Sequence, residues 1–180
     1  MKKMICLHAL AFVAMAAGAA NAQTANPISA GGKRTYDVVK GYLTRAAEKM
    51  PEDQYAFKAT PDVRSFGQLV GHVADANFGF CAAVAGEKPP MGGFDGSIEK
   101  SKTTKADLQK ALADAFAYCD KVWAGMTDSA GTAMVKGFWG ELSKVSVLDF
   151  NTAHDFEHYG NIVTYMRLKN IVPPSSEPRK

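Results

Sequence analysis

Long apolar runs, dense basic stretches and strand-like alternation are all scarce in this 180-residue sequence. After residue 22, no apolar stretch reaches the roughly 20 residues that a membrane-spanning helix needs. No dense run of lysine and arginine occurs, and the sequence therefore does not indicate nucleic acid as a partner. Alternation of polar and apolar residues is nearly absent and no internal repeat is visible, so helical periodicity is the main structural signal.

The first 22 residues have the pattern of a cleavable export signal. Lys2 and Lys3 precede an apolar run of about 15 residues, which is too short to span a membrane, and the small-residue sequence Ala20-Asn21-Ala22 follows it. We therefore expect cleavage after Ala22 and a soluble mature protein that is periplasmic or secreted. Cleavage would remove both lysines and lower the formal net charge from its value of +3.

Cysteine is also scarce, because only Cys81 and Cys119 follow the predicted signal. Export makes a disulfide chemically possible, since oxidising compartments preserve such bonds. Each cysteine nevertheless falls within an apolar helical pattern. The sequence therefore favours two buried thiols and leaves a disulfide between them open.

Apolar residues recur at helical spacing, and prolines and capping residues mark the helix ends. The first predicted helix stops at Pro51 and the second begins near Ser65. Thr104 begins the third, with Asp107 three residues later as a loose capping-box analogue. The predicted helices cover about residues 34–50, 65–86, 104 onwards and 144–169, whereas residues 127–143 have no clear pattern.

Four helices in one chain of this length predict an all-α fold, a four-helix bundle over residues 34–172. The Gly- and Pro-rich sequence GEKPPMGGFDGS, residues 86–97, follows the second helix and is long enough for a crossover connection. Small and polar residues predict a flexible lead-in at 23–33 and a flexible tail at 173–180.

The predicted mature chain has three histidines, and two of them are four residues apart in the sequence HDFEH. At ~100° per residue, His154 and His158 share an inward-facing stripe of the last helix. His72 lies at the edge of the apolar face of the second helix, from which it can reach a neighbouring helix near the bundle mouth.

Two interpretations of these histidines are open. Each can be an ordinary core histidine held by hydrogen bonds. Alternatively, one divalent ion binds a nitrogen of each ring, because side chains at i and i+4 are neighbours and an unmet buried polar group costs about 1–3 kcal/mol. The second interpretation makes His72, His154 and His158 metal ligands, with Asp155 or Asn151 orienting an imidazole.

The sequence H-x-x-E-H also occurs in inverted zinc peptidases, in which Glu157 would be the base. Those enzymes need a carboxylate ligand far downstream, and the only acidic residue after His158 is Glu177 in the tail. Glu157 is also about 100° from His158 around the helix, so a solvated flank is the preferred interpretation of this residue.

Two segments resemble the DinB-like family, also called DinB/YfiT-like metalloenzymes: FGQLVGHVADANFGFCAAVAG around His72, and HDFEHYGNIVTYMRLKNIVPPSS around His154 and His158. The family pattern places one histidine on the second helix and H-x-x-x-H on the last. The resemblance implies a four-helix bundle with an unusual crossover. It also implies a divalent ion, with nickel and zinc among the candidates, held by those three histidines with water in its open positions. Homodimers are common in the family, and some relatives are thiol-dependent transferases or isomerases.

Three hypotheses for the function follow. The first is a metalloenzyme, a transferase or hydrolase in which Tyr159, Tyr165 or Asp155 moves protons near the ion. The second is a non-catalytic protein that binds a metal or a small ligand, and the third is a domain that its ion stabilises. The thiol-dependent relatives work in the cytoplasm, whereas the export signal predicts another compartment for this chain.

Overall fold

The computed structural model of the protein describes residues 25–178, and the predicted export signal at 1–22 lies outside them. The described chain contains six α-helices and one β-hairpin. These are α1 (Pro27–Lys49), α2 (Phe66–Ala85), α3 (Ser97–Ser101), α4 (Lys105–Ala124), α5 (Asp128–Gly131), β1 (Met134–Gly137), β2 (Gly140–Ser143) and α6 (Lys144–Leu168). Short 3-10 turns occupy Glu52–Gln54 and Pro174–Ser176. Between residues 25 and 178, no helix combines the length and apolar character needed to cross a bilayer.

The four long helices, α1, α2, α4 and α6, form the predicted bundle. Helix α1 packs against α6 and α4, and α2 packs against the same two helices. The consecutive helices α1 and α2 therefore lie diagonally across the bundle, as do α4 and α6, which confirms a crossover topology. The crossover does not lie where the sequence predicted it. The Gly- and Pro-rich segment after α2 leads to α4, which is a direct neighbour of α2. The chain crosses the bundle instead in residues 50–65 and 125–143. As a result, α2 and α6 lie side by side.

Side-chain capping accounts for the predicted helix starts. The Ser65 hydroxyl accepts the Gln68 N–H while the Gln68 side chain accepts the Ser65 N–H, which forms a capping box at the start of α2. Thr104 caps α4 in a similar way by accepting the N–H of Asp107. These local signals are visible in the sequence because the capping hydroxyl and the backbone N–H that it accepts are three residues apart.

Helix α1 begins at Pro27, seven residues before its predicted start, so residues 27–33 are helical where the sequence suggested a flexible lead-in. The reason is a cap from a distant part of the chain. The Asp128 carboxylate accepts the backbone N–H groups of Ile28 and Ser29 and the Ser29 hydroxyl, at 2.8–3.1 Å. The Asn26 side chain in turn accepts the N–H of Asp128. These contacts satisfy backbone donors that the first turn of a helix leaves free.

The segment after α6 is also more ordered than predicted. Pro173 and Pro174 are buried, and the Tyr159 hydroxyl donates to the Ser175 hydroxyl at 2.9 Å. Lys49 on α1 pairs with Glu177 at 2.6 Å. Side chains of two helices therefore contact residues 173–178, which were predicted as part of a flexible tail, whereas residues 179–180 lie outside the described chain.

A disulfide joins Cys81 on α2 to Cys119 on α4, with 5.4 Å between the two Cα atoms. Both residues are fully buried, as the sequence predicted. The preference for two free thiols was wrong, since burial alone does not reveal that the two cysteines face each other across adjacent helices.

Residues 134–143, which had no clear sequence pattern, form an antiparallel hairpin in which Gly137 pairs with Gly140. Phe138 and Trp139 occupy the turn, and Gly140 has the positive φ of 89° that glycine accommodates at this position. The turn brings two aromatic rings to the end of the bundle at which α2 and α6 carry their histidines.

Candidate metal centre

The structure brings the three predicted ligands together. His72 is on α2, whereas His154 and His158 are on consecutive turns of α6. One ring nitrogen from each histidine lies within 4.8 Å of the others. This cluster is the only group of three or more His, Cys, Asp or Glu side chains with such spacing within residues 25–178. The diagonal crossings of the chain produce it, because they make α2 and α6 neighbours.

The distances match those that a shared ion imposes. The His154 Nε2 atom lies 3.2 Å from His72 Nε2 and 3.0 Å from His158 Nε2. Nitrogens bound to one ion at 2.0–2.1 Å are about 2.9 Å apart at a 90° ligand angle and about 3.4 Å apart at a tetrahedral angle. Both observed separations fall in that interval, so the three nitrogens are placed to ligate a single cation.

The surroundings of the three histidines favour the neutral imidazole, which is the form that ligation requires. Burial, followed by the charges of His158 and His72, lowers the pKa of His154 to about 4. Burial and the charge of His72 lower the pKa of His158 to about 4. Burial also lowers the pKa of His72, with Arg64 contributing. Neutral imidazoles present free lone pairs to a cation at neutral pH.

A carboxylate holds the His72 ring from its far side. The Glu99 Oε2 atom lies 3.2 Å from His72 Nδ1, and Arg64 Nε donates to Glu99 Oε1 at 2.8 Å. A proton on Nδ1 that bonds to Glu99 leaves Nε2 unprotonated and directed at His154. Arg64 is half-exposed, so this pair contributes mainly orientation rather than stability.

Glu99 is placed by α3, which lies directly against α2. The Asp75 carboxylate on α2 accepts the backbone N–H groups of Ile98 and Glu99 at 3.1 and 2.8 Å. Gly71 permits this close approach, because a Cβ there would be 2.9 Å from the Glu99 Cα. The sequence analysis missed Glu99, whose position depends on a loop returning to α2, although Glu99 is the acidic residue of the short helical segment SIEKS that follows the Gly- and Pro-rich stretch.

Asp155 and Asn151, which were predicted to orient an imidazole, bond to the Asn77 side chain instead. Asp155 is fully buried and accepts a hydrogen bond from the Asn77 side chain at 2.8 Å. Asn151 donates to the Asn77 side chain at 2.9 Å. Burial raises the pKa of Asp155 well above its ordinary value. These residues form a polar network inside the bundle and bond to no histidine, which corrects that expectation.

Among the remaining candidates, Tyr159 contacts residues away from the histidines, whereas Tyr165 and Glu157 line the cleft beside His158. Tyr159 bonds to Ser175 and stacks on Tyr42, with ring centroids 5.0 Å apart. Tyr165 donates to the Arg64 carbonyl and lines a cleft beside His158. Glu157 is exposed, as expected for a solvated flank. Of these side chains, only Tyr165 combines a fixed position with proximity to the histidines.

The histidine cluster is flanked by two concave spaces of different character. A cleft of about 490 Å³ on the His158 side includes Arg64, Glu157 and Tyr165 and has polar and apolar surface in similar amounts. A pocket of about 320 Å³ on the other side reaches His72 and His154 and is mainly apolar. Both volumes are in the range of small-molecule sites.

Comparison with known proteins identifies the sequence family and the fold. Residues 35–162 match the sequence pattern of a family described as DinB superfamily. Among curated proteins, none matches the chain significantly. Among solved structures, a DinB-like protein from Bacillus subtilis has 18% identity and a TM-score of 0.65, and the similarity covers 86% of this chain and 100% of that one. A DinB-like protein from Bacillus cereus has 13% identity and a TM-score of 0.68, with 80% and 94% covered.

A mycothiol-dependent maleylpyruvate isomerase is also similar, with 13% identity and a TM-score of 0.62. The similarity covers 74% of this chain but 60% of the isomerase, so the chain spans less than two thirds of that protein. At these identities the solved structures demonstrate a shared fold, and the chemistry of the site depends on the residues of this chain.

Proposed function

Because the chain belongs to the DinB superfamily, we propose that it binds a divalent metal ion, nickel or zinc, through His72, His154 and His158. The observation that supports this proposal most directly is the convergence of the three imidazoles, with Nε2 separations of 3.0 and 3.2 Å. Nε2 atoms at this separation share either a proton, as in a hydrogen bond, or a cation, and we assign a cation to them.

A divalent ion held by three neutral imidazoles keeps its full positive charge and supplies Lewis acidity, or activates a bound water or thiol. The protein contributes positioning. The rings of His72, His154 and His158 would hold the ion, Glu99 would fix the tautomer of His72, and Arg64 places a positive charge in the cleft beside His158. The same cleft carries the carboxylates of Asp62, Glu99 and Glu157, so it suits a polar group of a substrate.

We propose a metal-dependent transferase or hydrolase acting on a small substrate. The two concave spaces beside the histidines support an accessible site rather than a closed structural one. A non-catalytic metal-binding or ligand-binding protein is the second candidate. It is favoured by the engagement of Asp155 and Tyr159 in hydrogen bonds away from the histidines. Turnover on a panel of thiol and ester substrates separates the two candidates.

Export to the periplasm or beyond belongs to the same proposal. The buried Cys81–Cys119 disulfide supports it, because such bonds persist in oxidising compartments. An oxidising location also argues against the thiol dependence that the name of the isomerase describes. N-terminal sequencing of the secreted protein tests cleavage after Ala22, and light scattering tests a homodimer, which the family resemblance alone suggests.

The test of metal binding is elemental analysis of the purified protein. The wild type is expected to carry one divalent ion per chain and the His158→Ala variant none. The Glu157→Gln variant is the matched control, since Glu157 neighbours His158 but is exposed and outside the cluster. Full metal content in the His158→Ala variant would refute the assignment.

A further inference from the structure

We propose that the apolar space beside the histidines binds the aromatic ring of a small ligand whose polar head sits on the metal ion. This inference rests on the proposed metal site and specifies the ligand that the site takes. The space, named here the aryl pocket, has a volume of about 320 Å³. Four phenylalanines line it, namely Phe80, Phe94, Phe138 and Phe150.

Helical spacing connects the aryl pocket to the histidines. Phe80 lies on α2 two turns after His72, and Phe150 lies on α6 one turn before His154. The Phe80 ring centroid is 6.0 Å from that of His154 and 5.5 Å from that of Phe150. Ala76 stands between His72 and Phe80 on the same face and its small side chain leaves space there. The floor of the pocket therefore passes directly from imidazoles to phenyl rings.

Two connections between helices supply the roof. Phe94 comes from the Gly-rich segment after α2, and Phe138 comes from the hairpin turn, with 5.1 Å between their ring centroids. Gly79 gives the Phe94 ring its place on α2, because a Cβ at residue 79 would be 2.8 Å from that ring. Phe94 and Phe138 thus lie on connections outside the bundle helices. These connections place both rings in the pocket that His72 and His154 also line.

The phenylalanine side chains of the roof and rim are more exposed to solvent than packing of the bundle core requires. Phe138 is 72% exposed, Phe94 is 53% exposed and Phe150 is 46% exposed, although the three rings belong to one cluster. Clustered exposed apolar surface of this kind marks a binding site. A ligand ring inserted among them would cover this surface, and each Å² of apolar area removed from water stabilises the complex by about 25 cal/mol.

The shape of the pocket favours a small ligand over a protein partner. The space is concave, it has room for a small molecule that contains an aromatic ring, and His72, His154 and Asp75 are its charged or titratable lining groups. Apolar walls with few convergent polar groups are typical of small-molecule sites. Since only 6.0 Å separates the rings of Phe80 and His154, the polar head must be attached close to the ligand ring. The ligand class is therefore a compact arene with a carboxylate, thiol or similar metal-binding head.

Two hydroxamates that share a head group test this inference. Calorimetry would measure the affinity of zinc-loaded protein for benzohydroxamate and for acetohydroxamate. The baseline is the affinity of benzohydroxamate for free zinc divided by that of acetohydroxamate, measured in the same buffer. We expect the protein to prefer benzohydroxamate by about tenfold beyond that baseline, because only the phenyl group fills the aryl pocket.

Variants assign the preference to the pocket. Phe138→Ser removes a roof ring from an exposed turn, where folding is least affected, and is expected to reduce the preference by about threefold. Ala76→Leu fills the pocket and should abolish the preference while acetohydroxamate still binds. The matched control is Phe156→Ser on α6. Phe156 is exposed and does not line the pocket, so this variant should retain the full preference.

The outcomes separate this inference from the proposed function. Failure to bind zinc refutes the metal site and the inference together. A zinc-loaded protein that binds both hydroxamates at the baseline ratio refutes the aryl pocket alone, whereas one that binds neither refutes the accessible metal position as well. A dimer in light scattering that Phe138→Ser dissociates would identify the rings as a protein interface and also overturn the inference.

Discussion

Breaking the Cys81–Cys119 bond should destabilise the bundle by an amount that follows from its position in the chain. The two cysteines are 38 residues apart in sequence. In the chain-entropy description, a cross-link closing a loop of that length stabilises the folded state by about 4 kcal/mol at 25 °C. For a domain of this size, such a loss corresponds to a decrease in melting temperature of roughly 10 °C.

The assay compares oxidised and reduced wild-type protein, both without metal, in equilibrium urea unfolding followed by circular dichroism. The reduced form is prepared in denaturant and refolded with reductant present, since the bond is fully buried. The two forms have the same side chains, and the difference in their free energies of unfolding therefore isolates the cross-link. We expect the reduced form to unfold at a lower urea concentration and with a somewhat steeper slope, because the unfolded chain without the cross-link exposes more surface.

The Cys81→Ala/Cys119→Ala variant provides a second measurement. It lacks the cross-link and also loses buried sulfur atoms, so it should be less stable than the reduced wild type. Coincident unfolding curves for oxidised and reduced protein would refute the reasoning. Titration of two free thiols in unreduced, unfolded protein would show that the bond does not form.

Three further predictions concern the site and the start of α1. Removing the ion with a chelator should lower the melting temperature by about 5–10 °C if the ion is present at 100 times its dissociation constant; no shift after confirmed metal removal would contradict native-state binding. Glu99→Gln should weaken metal affinity about 10–100-fold in a competition titration while the ion still binds, because the His72 ring loses its carboxylate partner; unchanged affinity would exclude a role for Glu99. Asp128→Ala should increase amide hydrogen exchange at Ile28 and Ser29, with residues in the middle of α1 as the internal reference; unchanged exchange at the two amides would contradict capping by Asp128.

Local signals in the sequence predicted much of the helical framework. The residues Ser65 and Thr104 lie within three positions of the backbone groups they cap, and the inward stripe of α6 follows from helical geometry alone. The four-helix bundle and the convergence of His72 with His154 and His158 follow from such patterns together with the family resemblance. The connections that carry the chain across the bundle and make α2 and α6 neighbours were not located from the sequence.

The features that the sequence did not reveal depend on distant parts of the chain. Asp128 caps α1 from 99 and 100 residues away, and the register of two helices decides whether Cys81 meets Cys119. Glu99 reaches His72 only because α3 folds back onto Gly71. Asp155 was a reasonable choice from its angle on α6, but the neighbouring α2 offers it Asn77 instead of a histidine.

Helix α2 is attached to its two neighbours by different kinds of bond. The disulfide tethers it to α4, whereas an ion between His72 and His154 would bridge residues 82 positions apart and tether it to α6. When the ion departs, α2 keeps its covalent bond to α4, but its side-chain bonds to α6 are reduced to the hydrogen bonds of Asn77 with Asp155 and Asn151. The contact between α2 and α6 then becomes the weaker side of the bundle. We therefore expect local opening of the metal-free protein to occur first between α2 and α6. Such opening would give an incoming ion a route to its ligands without global unfolding.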